Sequence, residues 1–166
     1  TINFAIPTSD ANHTSGVWTI SPASGNPLPV ITSPVTIDGT TQSGVSVNTA
    51  QSPSNMSGNL AIQISGVNDT TTADWDGLML NAGSDGSTIR GLSIYAFDNS
   101  ASDAIVISSS SNNVIAGNYI GVKATGTVGN DGNNAGVGLA AGSSNNRIGG
   151  TAAADRNLCS VNTVSN

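Results

Sequence analysis

Apolar residues along the chain alternate with polar ones in short groups: Ile2/Phe4/Ile6, Val35/Ile37, Val45/Val47, Leu60/Ile62/Ile64, Leu78/Leu80, Leu92/Ile94, Ile105/Ile107 and Val137/Leu139. Period two places each group on one face of a strand. Gly, Asn, Ser, Asp and Pro fill the intervals, residues that suit turns and left-handed backbone, and the intervals are too short for crossover helices. The pattern predicts short strands joined by corners.

One block recurs. Residues 104–117 read AIVISSSSNNVIAG and residues 137–150 read VGLAAGSSNNRIGG, an offset of 33 from Asn112 to Asn145. A looser copy, LNAGSDGSTIRG at 80–91, brings Ile89, Ile115 and Ile148 into one column with spacings of 26 and 33. Such self-similarity means that each unit buries its apolar face only by stacking on its neighbours. Coils of about 27 residues stacked at about 4.8 Å would align Leu78/Leu80, Ile105/Ile107 and Val137/Leu139 in a first inward column. Ile89, Ile115 and Ile148 form a second, and Leu92/Ile94, Ile120 and Leu158 a third, closing a three-sided coil. The expected fold is all-β: a three-sided β-solenoid of about six coils, one domain over 1–166, with KATGTVGNDGNN at 123–134 as a protruding loop. Asn112/Asn113 and Asn145/Asn146 fall at one corner, where they either ladder through their amides or supply positive φ.

Composition supports this reading. Only 8% of residues are charged, all ten acids are Asp, and four Lys plus Arg leave little material for an amphipathic helix surface. A net charge of −6 argues against a nucleic-acid partner, and no apolar run is long enough to span a bilayer. A first residue of Thr fits a chain whose leader has been removed, which predicts an exported protein. The single Cys159 excludes an internal disulfide.

The stretches TINFAIP, SPVTIDGTTQSG, STIRGLSI, NNVIAGNYIGVKATGT and SSNNRIGGTAAADRNLCSVN resemble the repeats of bacterial secreted right-handed parallel β-helix proteins, in the wider pectate-lyase-like superfamily. The resemblance implies a right-handed parallel β-helix. It leaves function open, because members include surface and adhesive proteins and polymer-degrading enzymes.

Candidate chemistry is sparse. Asp76 and Asp103 each precede the first inward residue of a strand by two, which predicts adjacent rungs of one column with Ala135 next. Paired carboxylates could hold a calcium ion, with Asp74 and Asp69 as further ligands; the plainer reading is that Asp opens the strand as a turn residue. Arg90, Lys123, Arg147 and Arg156 read as solvated surface charges, and His13 as a loop residue. Trp18, Trp75 and Tyr119 either stack on sugar rings or pack into the coil. Cys159 reads as a buried thiol, and Asn12, Asn55 and Asn68 match a short glycosylation sequon. No catalytic residue and no cofactor other than calcium is expected.

The segment TINFAIP and the segment NLCSVNTVSN both read as strands with neither an amphipathic helix nor a charged lid beside them. Unpaired coil edges invite further pairing. The expected function is a non-enzymatic extracellular structural module that self-associates end to end into a fibre or surface layer. A surface adhesin or glycan-binding module acting through the 123–134 loop is the alternative. A polysaccharide lyase or hydrolase is the second.

Overall fold

The computed structural model describes residues 1–70, 75–99, 101–127, 129 and 131–163. Its strands fall into five levels. Level one holds β1 (Ile2–Asn3), β2 (His13–Thr14) and β3 (Val17–Ile20); level two holds β4 (Thr36–Asp38) and β5 (Ile62–Ser65). Level three holds β6 (Leu78–Leu80), β7 (Thr88–Arg90) and β8 (Leu92–Tyr95), and level four β9 (Ile105–Ile107), β10 (Val114–Ala116) and β11 (Tyr119–Ile120). Level five holds β12 (Val137–Leu139), β13 (Arg147–Ile148) and β14 (Leu158–Cys159).

Corresponding strands of successive levels pair in parallel. Sheet one is β1-β4-β7-β10-β13, sheet two is β14-β11-β8-β5-β3-β2, and sheet three is β12-β9-β6. Each of levels three to five visits sheet three, then one, then two. This nearly all-β, parallel arrangement is compatible with a β-solenoid.

The register stacks like on like. Ile2, Ile37, Ile89, Ile115 and Ile148 form one continuous column in sheet one. Ile31, Leu80, Ile107 and Leu139 form another in sheet three. In sheet two the column runs Ile20, Ile64, Ile94, Ile120 and then Cys159. Ile37, Ile89, Ile115, Leu80, Ile107, Ile64, Ile94 and Ile120 join one buried cluster drawn from all three sheets. At about 1.5–3 kcal/mol per buried aliphatic side chain, these columns are the main stabilising term.

Buried and half-buried asparagines hold the corners. Asn118 Oδ1 accepts the Leu92 N–H at 3.1 Å while its Nδ2 donates to the Ile89 carbonyl at 3.0 Å, so one amide grips both backbone groups of the level below. Asn157 repeats this on Asn118 N–H and the Ile115 carbonyl, at 2.9 and 2.8 Å. At the next corner Asn133 grips Phe97 N–H and the Ile94 carbonyl, and Asn162 grips Asn133 N–H and the Ile120 carbonyl. Gln42 does the same to the N–H and carbonyl of Ile6 in level one.

The paired asparagines divide the two roles that the sequence left open. Asn112 and Asn145 take φ of 60° and 54°. Asn113 and Asn146 make the ladder, with Asn113 Oδ1 on Ser87 N–H at 2.8 Å and Asn146 Oδ1 on Asn113 N–H at 2.9 Å.

Four expectations are corrected. Leu158 does not continue the column of Leu92/Ile94 and Ile120; Cys159 does, because Asn157 occupies the corner place of Asn118 and the inward position follows two residues later. Val45/Val47 is not a strand, and the described residues form five levels rather than about six. Residues 42–60 instead leave the stack as a strap, closed by the antiparallel bridge Ser46–Asn59, and lie over the outer side of sheet two. There Leu60, Tyr119, Val122 and Ala124 form a second buried cluster with Met56 and Leu158. Finally, the level-one edge of sheet two is not open. β2 folds back antiparallel on β3 through Ser15 and Gly16, whose φ of 52° and 83° suit a two-residue hairpin turn, and covers it.

Asn118→Ala would leave the Leu92 N–H and the Ile89 carbonyl buried without their side-chain partner. The carbonyl keeps its strand partner in β10, so at about 1–3 kcal/mol for the orphaned N–H, urea unfolding is expected to show a loss of about 1–3 kcal/mol. An exposed substitution such as Thr125→Ala is expected to change stability by less than about 0.5 kcal/mol in the same titration.

Candidate functional site

The aspartates predicted to share a column do so through the backbone. Asp76 Oδ1 accepts the Asp103 N–H at 2.9 Å, and Asp103 Oδ1 accepts the Ala135 N–H at 3.0 Å and Asn134 Nδ2 at 3.1 Å. Each carboxylate thus holds the amide of the next level, the reverse direction to the asparagines. Asp74 lies outside the described residues, and Asp69 accepts a hydrogen bond from Asn99 Nδ2. Among the described residues no group of three or more His, Cys, Asp or Glu is placed to hold a metal ion. A calcium ion at Asp76 and Asp103 would therefore have to draw its remaining oxygen ligands from carbonyls and water.

The cations are not free surface charges. Arg90 pairs with Asp38 at 3.4 Å, Lys123 with Asp131 at 2.8 Å and Arg147 with Asp155 at 2.9 Å. The Asp131 hydrogen bond raises the Lys123 pKa, against an opposing effect of partial burial. Arg156 donates to the carbonyls of Ala50 at 2.7 Å and Ser54 at 3.1 Å, and buried Asn48 donates to the Ala153 carbonyl at 2.7 Å. These contacts tie the strap, which leaves level two, to the corner that precedes β14. Tyr119 Oη adds a 2.6 Å bond to the Gly58 carbonyl, and burial pushes its pKa up.

Between the strap and the outer face of sheet one lies a cleft. Thr88, Arg90, Val114, Ala116 and Arg147 come from sheet one, Val47, Met56 and Leu60 from the strap, and Asp155 closes one end. The two arginines occupy different outward columns, Arg147 beside Val114 and Arg90 beside Ala116. Sequence reasoning missed the cleft because its wall comes from a segment about 30 to 100 residues away from the sheet-one residues. The arginines flanking inward Ile89 and Ile148 were the available signal, since residues beside an inward position face out.

The aromatic residues offer no sugar platform. Trp18, Trp75 and Tyr119 are buried, with Trp18 Nε1 bonded to the Pro7 carbonyl and its ring against His13 at 4.4 Å. Of the 123–134 stretch, residues 128 and 130 lie outside the described residues, Ala124 and Asn133 are buried, and Thr125–Thr127 are exposed. The sequon residues Asn12, Asn55 and Asn68 are exposed, though Asn68 Nδ2 donates to the carbonyls of Ser21 and Pro22. Cys159 is half-buried, and burial pushes its thiol pKa up.

No helix among the described residues is long and apolar enough to cross a membrane. No protein-family model, curated protein or solved structure matches the chain.

If the aspartate column is a backbone ladder, Asp103→Asn keeps the acceptor and is expected to cost under about 1 kcal/mol, whereas Asp103→Ala costs about 1–3 kcal/mol. Added calcium is then expected to leave the thermal midpoint of the parent unchanged. A calcium-dependent rise abolished by Asp103→Asn would assign the column to a cation instead. For Cys159, alkylation at pH 8 is expected to be more than about tenfold slower in the native chain than in urea, because the raised pKa and partial burial both suppress the thiolate.

Proposed function

We propose that the chain is a right-handed parallel β-helix of the bacterial secreted, pectate-lyase-like kind. It serves outside the cell as a non-enzymatic structural module that stacks end to end with neighbouring coils into a fibre or surface layer. The observation that carries this reading is the outer edge of level five. Leu139 and Ile148 lie on the same columns as fully buried Ile107 and Ile115, yet are 59% and 41% exposed. A further coil of matching register would cover both and continue the backbone pairing. The extracellular placement rests on the family resemblance.

The polar side chains support the same reading. Asn113, Asn118, Asn133, Asp76 and Asp103 serve contacts between levels. The adhesin reading has less support, since Ala124 and Asn133 anchor the 123–134 stretch inside the fold and Lys123 pairs with Asp131 across it.

The two ends are unequal. On the level-one side, sheet one presents β1 with Ile2 48% exposed, while β2 covers sheet two. A coil arriving there can pair with sheet one, and must displace β2 to reach β3. End contacts that do not close on themselves produce filaments.

Negative-stain electron microscopy over a dilution series tests this reading. The expected result is filaments with an axial repeat of roughly 24 Å, from five levels at about 4.8 Å. The double variant Leu139→Asp, Ile148→Asp is expected to abolish them with little change in unfolding midpoint. Monomers of the parent at every concentration would refute end-to-end association.

A further inference from the structure

We infer that the cleft between the strap and sheet one is a binding site for an extended dianion: a small ligand with an acidic group at each end and an apolar middle. The inference is independent of end-to-end association. Two of the four cations in a chain of net charge −6 line this one cleft, and no other described basic residue does. Both are reachable, with side chains 44% and 48% exposed.

Their ion pairs leave donors over. Arg90 meets Asp38 through Nε alone, and Asp38 Oδ1 already accepts the Thr40 N–H at 3.0 Å and the Thr40 hydroxyl. Arg147 uses Nη1 for both Asp155 and the Gly149 carbonyl. Among the described residues, Arg90 Nη1 and Nη2 and Arg147 Nε and Nη2 have no protein hydrogen-bond acceptor. A guanidinium edge with two free N–H groups recognises the two oxygens of a carboxylate.

The spacing selects the ligand. Arg90 stands on level three and Arg147 on level five, two rungs (about 10 Å) apart along the stack and two residues (about 6.6 Å) apart along the strand, so about 12 Å separates their positions. The intervening rung presents Val114 and Ala116, and the facing wall is Val47 and Met56 of the strap. A single small anion satisfies one arginine and leaves the apolar floor uncovered. An acidic group at each end, joined by an apolar chain of about that length, meets both arginines and the floor between them.

Octanedioate is the probe, titrated calorimetrically into the intact chain at low salt, with octanoate as the one-ended control. Saturable binding of octanedioate is expected, at least about tenfold tighter than octanoate and weakened about tenfold by Arg90→Gln and by Arg147→Gln. Val114→Asp, at an outward position of the floor, is expected to abolish binding while retaining the parent circular dichroism. Lys123→Gln, outside the cleft, should bind as the parent does. No heat at millimolar octanedioate would overturn the inference. So would octanoate binding as tightly, or affinity indifferent to both arginine replacements.

Discussion

The structure depends on one interaction made repeatedly: a corner asparagine whose amide accepts an N–H from the level below and donates to a carbonyl of that same level. A coil must turn, and at each turn the strand pairing is interrupted, which would leave backbone groups buried without partners. A side-chain amide carries a donor and an acceptor on one carbon, spaced as a peptide group spaces them. Asn118, Asn133, Asn157 and Asn162 thereby supply the missing acceptor for one N–H at each of two corners and add a second donor to a carbonyl that already accepts a backbone N–H. Aspartate supplies only acceptors, and Asp76 and Asp103 each accept a backbone N–H of the next level.

Because those clamps fix the corners, they also fix which residues turn inward between them. Ile120 follows Asn118 by two positions and Cys159 follows Asn157 by two, and both sit on one column. A one-residue slip would turn every side chain of a strand to the opposite face. The aliphatic columns supply most of the stabilisation and the corner amides supply the register.

The strap adds a second kind of order. Stacked coils contact only their neighbours, so a solenoid is held together one level at a time. Residues 42–60 cross several levels at once, leaving level two and meeting Tyr119 in level four and Asn48's partner Ala153 in level five. This brace covers an apolar outer face that would otherwise be exposed. It also creates the cleft, since a covering segment that arches over one sheet leaves a groove beside the next.

Local pattern in the sequence determined most of the strands that line the interior, their alternation and the alignment of Ile89, Ile115 and Ile148. Period-two alternation and a repeated Ser-Asn-Asn corner are read within one coil and its copy. Both roles of the paired asparagines were legible, though not which residue of each pair took which. The sequence also placed Asp76 and Asp103 on adjacent rungs, because equal distance from an inward residue implies equal place in the coil. Tertiary structure decided what depends on distant segments: that Cys159 rather than Leu158 enters the interior, that Val45 and Val47 belong to a strap, that β2 covers one edge, and that Arg90 and Arg147 share a cleft. Periodicity reports which face a residue presents, whereas the segment that comes to cover that face is set by chain closure and packing across the whole fold.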